Sequence, residues 1–162
     1  MTNLLEKKKN IKLVATDIDG VWTDSRMYVT PEGDWMKAFS TYDGMAVSML
    51  QKKGYIIAIL TSENTDIVKS RAKKLKIDEV YVDEHEKLKR LIYLSKKYEI
   101  SMNQIAYIGD DINDLEALKA VGFSALTANS PIQNQFKPDY VTIRHGGHGA
   151  FREFTDIILQ DQ

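Results

Sequence analysis

The stretch Val14-Ala15-Thr16-Asp17-Ile18-Asp19-Gly20-Val21-Trp22-Thr23-Asp24 decides how this chain reads. An apolar run beginning at Ile11 leads into two carboxylates two residues apart, and Gly20 follows. Such a run bounded by glycine reads as a buried strand. Residues i and i+2 share a face of a strand, so Asp17 and Asp19 need not diverge. The loop opening at Gly20 lets both face one small site. The carboxyl end of the first strand of an open α/β sheet is where such sheets bind ligands. Close like charges are costly unless a cation joins them. Lys12 is the one basic residue between Ile11 and Asp24. A divalent, oxygen-preferring ion meets the need, and Mg²⁺ suits it. The alternative is a pair of solvated turn aspartates.

The rest of the chain alternates strand and helix patterns. Residues 1–10 read as a flexible N-terminal leader, and 11–162 as one domain. Strand one covers 11–16. Short runs at 26–30 and 34–39 flank Pro31-Glu32-Gly33, a turn signal. Residues of about 25–40 therefore form a hairpin, either a flap over the acidic motif or a plain edge hairpin, with Trp35 and Phe39 expected to pack. A helix capped by Ser40 or Thr41 runs to about residue 53, with Met45, Ala46, Met49 and Leu50 as its inward stripe. The apolar run at 55–60 is a strand buried on both faces. Helices follow at 65–75 and 86–98, the second with Leu88, Leu91, Ile92 and Ser95 inward. Strands are expected at 80–82, 105–108, 123–126 and 140–143. A helix covers 115–121, a short Pro-led helix 131–136, and a glycine-rich tail and helix 144–159. This order predicts an α/β fold with a doubly wound, mostly parallel, Rossmann-like sheet and no cap domain.

Composition excludes several classes. The chain has 162 residues, 43% hydrophobic and 28% charged, with a formal net charge of −1. Nothing in that balance suggests nucleic acid or an anionic membrane as partner. The absence of cysteine excludes disulfides and thiolate chemistry. No run approaches membrane-spanning length and the first residues are polar, so a cytoplasmic protein is expected.

Three later positions sit where an α/β sheet presents chemistry. Thr61 ends the second strand, where a hydroxyl and helix N-terminal amides suit a phosphate oxygen or simply cap the helix. Lys87 heads the helix from 86, with Lys89 the rival if the register differs. A cation there would offset the carboxylates. Gly109-Asp110-Asp111-Ile112-Asn113-Asp114 follows an apolar strand and would complete an oxygen-rich metal site, or cap the next helix.

These four features, in this order, resemble the haloacid dehalogenase (HAD) superfamily. The Asp-Gly-Val-Trp-Thr-Asp continuation resembles most closely its phosphatases of 2-keto-3-deoxy sugar acids, the 3-deoxy-manno-octulosonate (KDO) 8-phosphate phosphatase group. The resemblance implies Asp17 as the nucleophile that becomes an aspartyl-phosphate, and Asp19 as acid then base. It implies Thr61 and Lys87 holding phosphoryl oxygens. Mg²⁺ would sit on a carboxylate oxygen of Asp17, the backbone carbonyl of Asp19, and Asp110, supported by Asp111 or Asp114.

The tail Arg144-His145-Gly146-Gly147-His148-Gly149-Ala150-Phe151-Arg152-Glu153 resembles that group's tail and marks Arg144 and Arg152 as substrate-binding candidates. In that group capless subunits form a homotetramer, and a neighbour closes the site. One position departs: Thr61-Ser62-Glu63 stands where the group usually has Thr-Gly-Arg. Glu63 resembles relatives acting on nine-carbon acids, 2-keto-3-deoxynononate (KDN) or N-acetylneuraminate 9-phosphate. Arg71 and Lys74, three apart on the next helix, would pair with Glu63 or meet the substrate carboxylate. The expected partner is thus a small sugar-acid phosphate. Remaining alternatives are a phosphoryl-accepting receiver domain, a non-catalytic partner of a sugar-nucleotide cytidylyltransferase, and a HAD phosphatase of another small ester. A receiver would carry its acceptor Asp on the third strand.

Overall fold

The elements run in chain order as α1 (Thr2–Lys9), β1 (Leu13–Thr16), β2 (Tyr28–Thr30), β3 (Gly33–Met36), α2 (Thr41–Lys52), β4 (Ile56–Leu60), α3 (Asp66–Lys74) and β5 (Glu79–Tyr81). There follow α4 (Lys87–Lys97), β6 (Ile105–Gly109), α5 (Leu115–Ala120), β7 (Phe123–Leu126), β8 (Tyr140–Val141) and α6 (Ala150–Leu159). This computed structural model describes residues 2–160, with side chains described from Glu6 onward. Met1 of the expected leader and residues 161–162 of the expected domain lie outside the described residues.

Six strands form one parallel sheet in the order β5-β4-β1-β6-β7-β8, with β2 and β3 in a separate antiparallel hairpin. The register explains the site. Thr16 lies opposite Ile59 of β4 and Ile108 of β6. The residues just past those three strands, Asp17, Thr61 and Asp110, therefore emerge at one edge of the sheet.

β1 is fully buried because its alternate residues feed two cores. Val14 points into a layer with Ala46, Val47 and Leu50 of α2, Val68 of α3, and Phe151, Phe154 and Ile158 of α6. Leu13 and Ala15 point the other way, against Leu91 and Leu94 of α4 and Ala117 and Leu118 of α5. Both faces are covered, which is the doubly wound arrangement the element order predicts. Trp22, just past the acidic pair, packs against Phe151 with ring centroids 4.9 Å apart and planes tilted by 32°, and donates its indole N–H to Thr16 Oγ1 at 3.0 Å. Among the described residues no helix is long and apolar enough to cross a membrane.

Several local expectations need correction. Residues 2–9, expected as a leader, are helical. Lys7, Lys8 and Lys9 occupy the last turn, where cations favour the helix, and Lys7 Nζ reaches Asp139 at 2.6 Å. The stripe of α2 is rotated: Ala46, Val47 and Leu50 are buried and Met45 is exposed. In α4, Leu94 is inside and Ile92 outside. Residues 131–135 form turns, not a helix. Trp35 does not pack; it is 67% exposed, because the β2–β3 hairpin stands off the main sheet. Phe39 does pack against the core.

Phe151→Ala should cost about 3–5 kcal/mol, the range for emptying a buried aromatic site, because it also unseats Trp22. Urea unfolding measures this; a loss under about 1 kcal/mol would mean that the Trp22–Phe151 contact does not anchor α6.

Candidate active site

The cleft at the carboxyl edge of the sheet holds about 200 Å³ and is lined by Asp17, Asp19, Thr61, Glu63, Asp110 and Asp111, with Ser25, Ser62 and Asn113 at its sides. Asp17 arrives at the end of β1, its N–H bound to Ile108 O at 3.1 Å. Its Oδ1 accepts the N–H of Ile18 at 2.7 Å, and its Oδ2 meets Lys87 Nζ at 3.0 Å. The chain then turns tightly: Ile18 O accepts the N–H groups of Val21, Trp22 and Thr23. Gly20 makes that turn with φ +87°, and a Cβ there would lie 1.8 Å from Asp110 Oδ2. Only glycine lets the Asp110 carboxylate come so near the motif loop.

Lys87 is the first residue of α4, and its side chain is almost wholly buried. Its Nζ bridges Asp17 Oδ2 and Asp114 Oδ1, the latter at 2.6 Å. Burial works against its charge, but Asp17 and Asp114 outweigh that and raise its pKa. Lys89 points outward and pairs with Glu86 on its own helix. The register thus brings Lys87, not Lys89, to the carboxylates.

Asp114 has no free oxygen for an ion. Oδ1 accepts from Lys87 and from Tyr107 Oη at 2.5 Å; Oδ2 accepts the N–H groups of Asp110 and Asp111. Asp111 caps the short turn over Ile112–Asp114 through its own carboxylate. Asp114 therefore holds Lys87 and shapes the loop that carries Asp110. Tyr107 and Lys37 were missed from the sequence. Tyr107 sits within an apolar strand and gives no signal. Lys37 Nζ lies 2.7 Å from Asp19 Oδ1, and a lone lysine inside Trp35-Met36-Lys37-Ala38-Phe39 is the clue that was there to read.

The electrostatics favour a cation at this edge. Burial, then the Asp114 charge, push Asp17 up to about 7. Burial, then Asp17 and Asp114, push Asp110 up to about 8. Carboxylate oxygens of Asp17, Asp110 and Asp114 lie within 4.8 Å of one another. Asp19 Oδ2 is buried without a partner. Crowded all-oxygen donors with unmet negative charge fit a hard divalent ion such as Mg²⁺.

The predicted substrate residues separate into two groups. Glu63 is exposed and lines the cleft. Arg71, Lys74, Arg144 and Arg152 do not line it. Arg71 does not pair with Glu63, because its position on the inward side of α3 turns it toward the start of α2. There it donates to Ser40 O at 3.4 Å and lies 5.6 Å from the Phe39 ring, in space left by the missing side chain of Gly44. Arg144 lies 5.7 Å from the Tyr42 ring, and Arg152 Nε pairs with Asp156. Lys74 is exposed. The three arginines surround Asp43, a fully buried carboxylate in the first turn of α2. Asp43 Oδ1 accepts the Arg152 N–H at 2.9 Å, at the start of α6, while Oδ2 has no partner.

Comparison with known proteins agrees with this geometry. The family model for haloacid dehalogenase-like hydrolases matches residues 32–122. The 3-deoxy-D-manno-octulosonate 8-phosphate phosphatase KdsC of Haemophilus influenzae is 38% identical over 157 residues, spanning 97% of this chain and 87% of that protein. A crystal structure of the Moraxella catarrhalis phosphatase of the same name, in complex with magnesium, phosphate and KDO, superposes with a TM-score of 0.94. It is 38% identical and covers all of this chain and 93% of that one. The cobalt-bound Haemophilus influenzae structure has a TM-score of 0.91 at 38% identity, over 95% of this chain and 90% of that one.

Asp43 makes stability depend on pH with a defined sign. Burial raises its pKa from 3.8 to about 6, outweighing the Arg152 N–H and the arginine charges. Its contribution is therefore full below the unfolded value and is lost as pH rises through the folded one. Asp43→Asn keeps an acceptor for the Arg152 N–H and removes the titration. The stability of Asp43→Asn relative to the parent should climb between about pH 4 and pH 6 and level off above. Urea unfolding at several pH values reads this, and a difference constant across that window would show that Asp43 carries no such penalty.

Proposed function

The chain belongs to the haloacid dehalogenase-like hydrolases, and from that premise we propose that it is a Mg²⁺-dependent phosphatase of a 2-keto-3-deoxy sugar acid phosphate, with KDO 8-phosphate as the foremost candidate. The observation that carries this is the meeting of Asp17, Asp19, Thr61 and Asp110 in one cleft with Lys87 buried behind Asp17. That is the equipment for phosphoryl transfer to a carboxylate, and Asp17 and Asp110, whose loss would mark a non-catalytic relative, are both present.

In this reading Asp17 attacks phosphorus. The bond from its carboxylate oxygen to phosphorus forms as the ester P–O bond breaks. Asp19 gives a proton to the departing sugar oxygen, then takes one from the water that hydrolyses the aspartyl-phosphate. Lys87 and the Thr61 hydroxyl hold phosphoryl oxygens. Lys87 also opposes the upward push on Asp17, favouring its charged form beside a dianion. Asp17, the backbone carbonyl of Asp19, and Asp110 would hold Mg²⁺, with Asp111 and Asp114 fixing the loop around Asp110. When bound, the ion supplies charge neutralisation for the phosphoryl group, a main catalytic term for such esters.

The cleft's volume of about 200 Å³ is below the roughly 300–1,000 Å³ of sites that enclose a small ligand. A substrate with a sugar-acid tail would extend past it. We therefore keep a homotetramer, with a neighbour closing the site, as part of the proposal. Arg144 and Lys74, both exposed, would then meet the tail of a substrate held by another subunit. The exposed hairpin, with Val29 and Trp35, offers apolar surface for such assembly. Glu63, an exposed acceptor lining the cleft, is the observation that keeps the nine-carbon acids as a second reading.

The test is phosphate release with Mg²⁺ from KDO 8-phosphate, KDN 9-phosphate, N-acetylneuraminate 9-phosphate and an aryl phosphate. We expect one sugar acid to be strongly preferred, with turnover lost on chelation, restored by Mg²⁺, and reduced to background in Asp17→Asn. Turnover of the aryl ester alone would discard the substrate class, and no turnover at all would discard the enzyme. Light scattering tests the tetramer.

A further inference from the structure

Asp19 is held by a residue that belongs to neither the motif loop nor the strand edge. Lys37 follows β3 directly, at the base of the hairpin. Its neighbours Trp35 and Met36 are exposed, yet its own side chain is only 2% exposed. Its Nζ donates to Asp19 Oδ1 at 2.7 Å, and Thr23 Oγ1 donates to the same oxygen at 3.2 Å. Thr23 is itself fixed, accepting the N–H groups of Gly20 and Ser25. Two donors thus occupy Oδ1, while Oδ2 is left buried and unpartnered in a residue that lines the cleft. An orphaned buried acceptor is expensive, so the orientation of this carboxylate is set by the two donors on Oδ1 and by none on Oδ2. A buried lysine paired with one carboxylate is weak evidence for stability, since desolvation consumes most of the attraction. Its use here is geometric.

We propose that Lys37 is a positioning residue: by clamping Asp19 Oδ1 from the hairpin, it fixes the angle at which the Asp19 carboxylate meets the leaving group. The inference rests on the assignment of Asp19 as acid and base. It also explains why an otherwise exposed hairpin sits where it does. The hairpin's base supplies half of the grip on the proton-transfer group, so hairpin placement and catalysis are joined at one ion pair.

The experiment compares leaving groups. A sugar alkoxide needs a proton as it departs; an acidic phenol such as p-nitrophenol does not. The parent, Lys37→Met, Lys37→Arg and Asp19→Asn are assayed with Mg²⁺ on a sugar-acid phosphate and on p-nitrophenyl phosphate. The readout is kcat/KM, which reports steps through transfer to Asp17 and release of the alcohol. Lys37→Met should lower kcat/KM on the sugar ester by ~100-fold, within the range of general-acid effects, and on the aryl ester by less than about fivefold. Asp19→Asn should show the same pattern more strongly, and Lys37→Arg should recover part of the loss. An equal fall on both esters in Lys37→Met would overturn the proposal, because a structural role makes no distinction between leaving groups. So would a sugar-ester loss that lies wholly in KM. If Lys37→Met does not fold, Lys37→Gln takes its place with the same criteria. If Asp19→Asn itself treats the two esters alike, the acid assignment fails, not the clamp alone.

Discussion

Lys87 between Asp17 and Asp114 is the interaction on which the rest of the site depends. Three carboxylates converge at the carboxyl ends of β1 and β6, and one protein cation lies behind them. Removing one partner of a buried pair leaves an uncompensated charge, a far larger penalty than the pair's net worth. The surroundings accordingly commit several donors to it. Asp114 takes four donors, and Tyr107, inside an otherwise apolar strand, spends its hydroxyl on the same carboxylate. That leaves Asp17 and Asp110 short of positive charge on the solvent side, which is where a divalent ion and a phosphate dianion belong.

The elements around the motif serve to hold that edge still. The parallel register delivers Asp17, Thr61 and Asp110 to one line. Trp22 is pinned by Phe151 and Thr16, which ties the motif loop to α6. The glycine-rich tail lies directly on this loop. Gly147 N–H binds Val21 O, Gly146 N–H binds Asn129 Oδ1, and a Cβ at Gly146 would come within 2.0 Å of Gly20 O. The tail's glycines are thus explained within the subunit, by close approach of backbone to backbone. Its arginines turn away, toward Asp43, on a side of the molecule where the cleft does not reach.

Among the described residues no cap domain covers the cleft, which stays open at the carboxyl edge of the sheet. The β2–β3 hairpin approaches from one side through Lys37 but does not close the site, and its outer face stays apolar and uncovered.

The amino-acid sequence by itself determined the sheet, its parallel winding, and the three strand ends at which the candidate site residues lie. Those are local facts: an apolar run, a period, a glycine, a carboxylate at a fixed offset. It narrowed the phosphate lysine to Lys87 or Lys89, and the side-chain contacts of α4 made the choice. Tertiary structure alone decided what each charged group faces. Arg71, Arg144 and Arg152 are separated by up to 81 positions, and no spacing reveals that they enclose Asp43. Asp114 looks like a ligand in the motif, and only the donors brought by Lys87, Tyr107 and two backbone amides show that its oxygens are taken. Met45 and Ile92 lie outside because helix rotation is set by which neighbours arrive to cover it. Trp35 stays in solvent because its hairpin joins no larger sheet. Periodicity fixes which residues share a face; which face is covered, and by what charge, depends on contacts between segments that the order of residues does not encode locally.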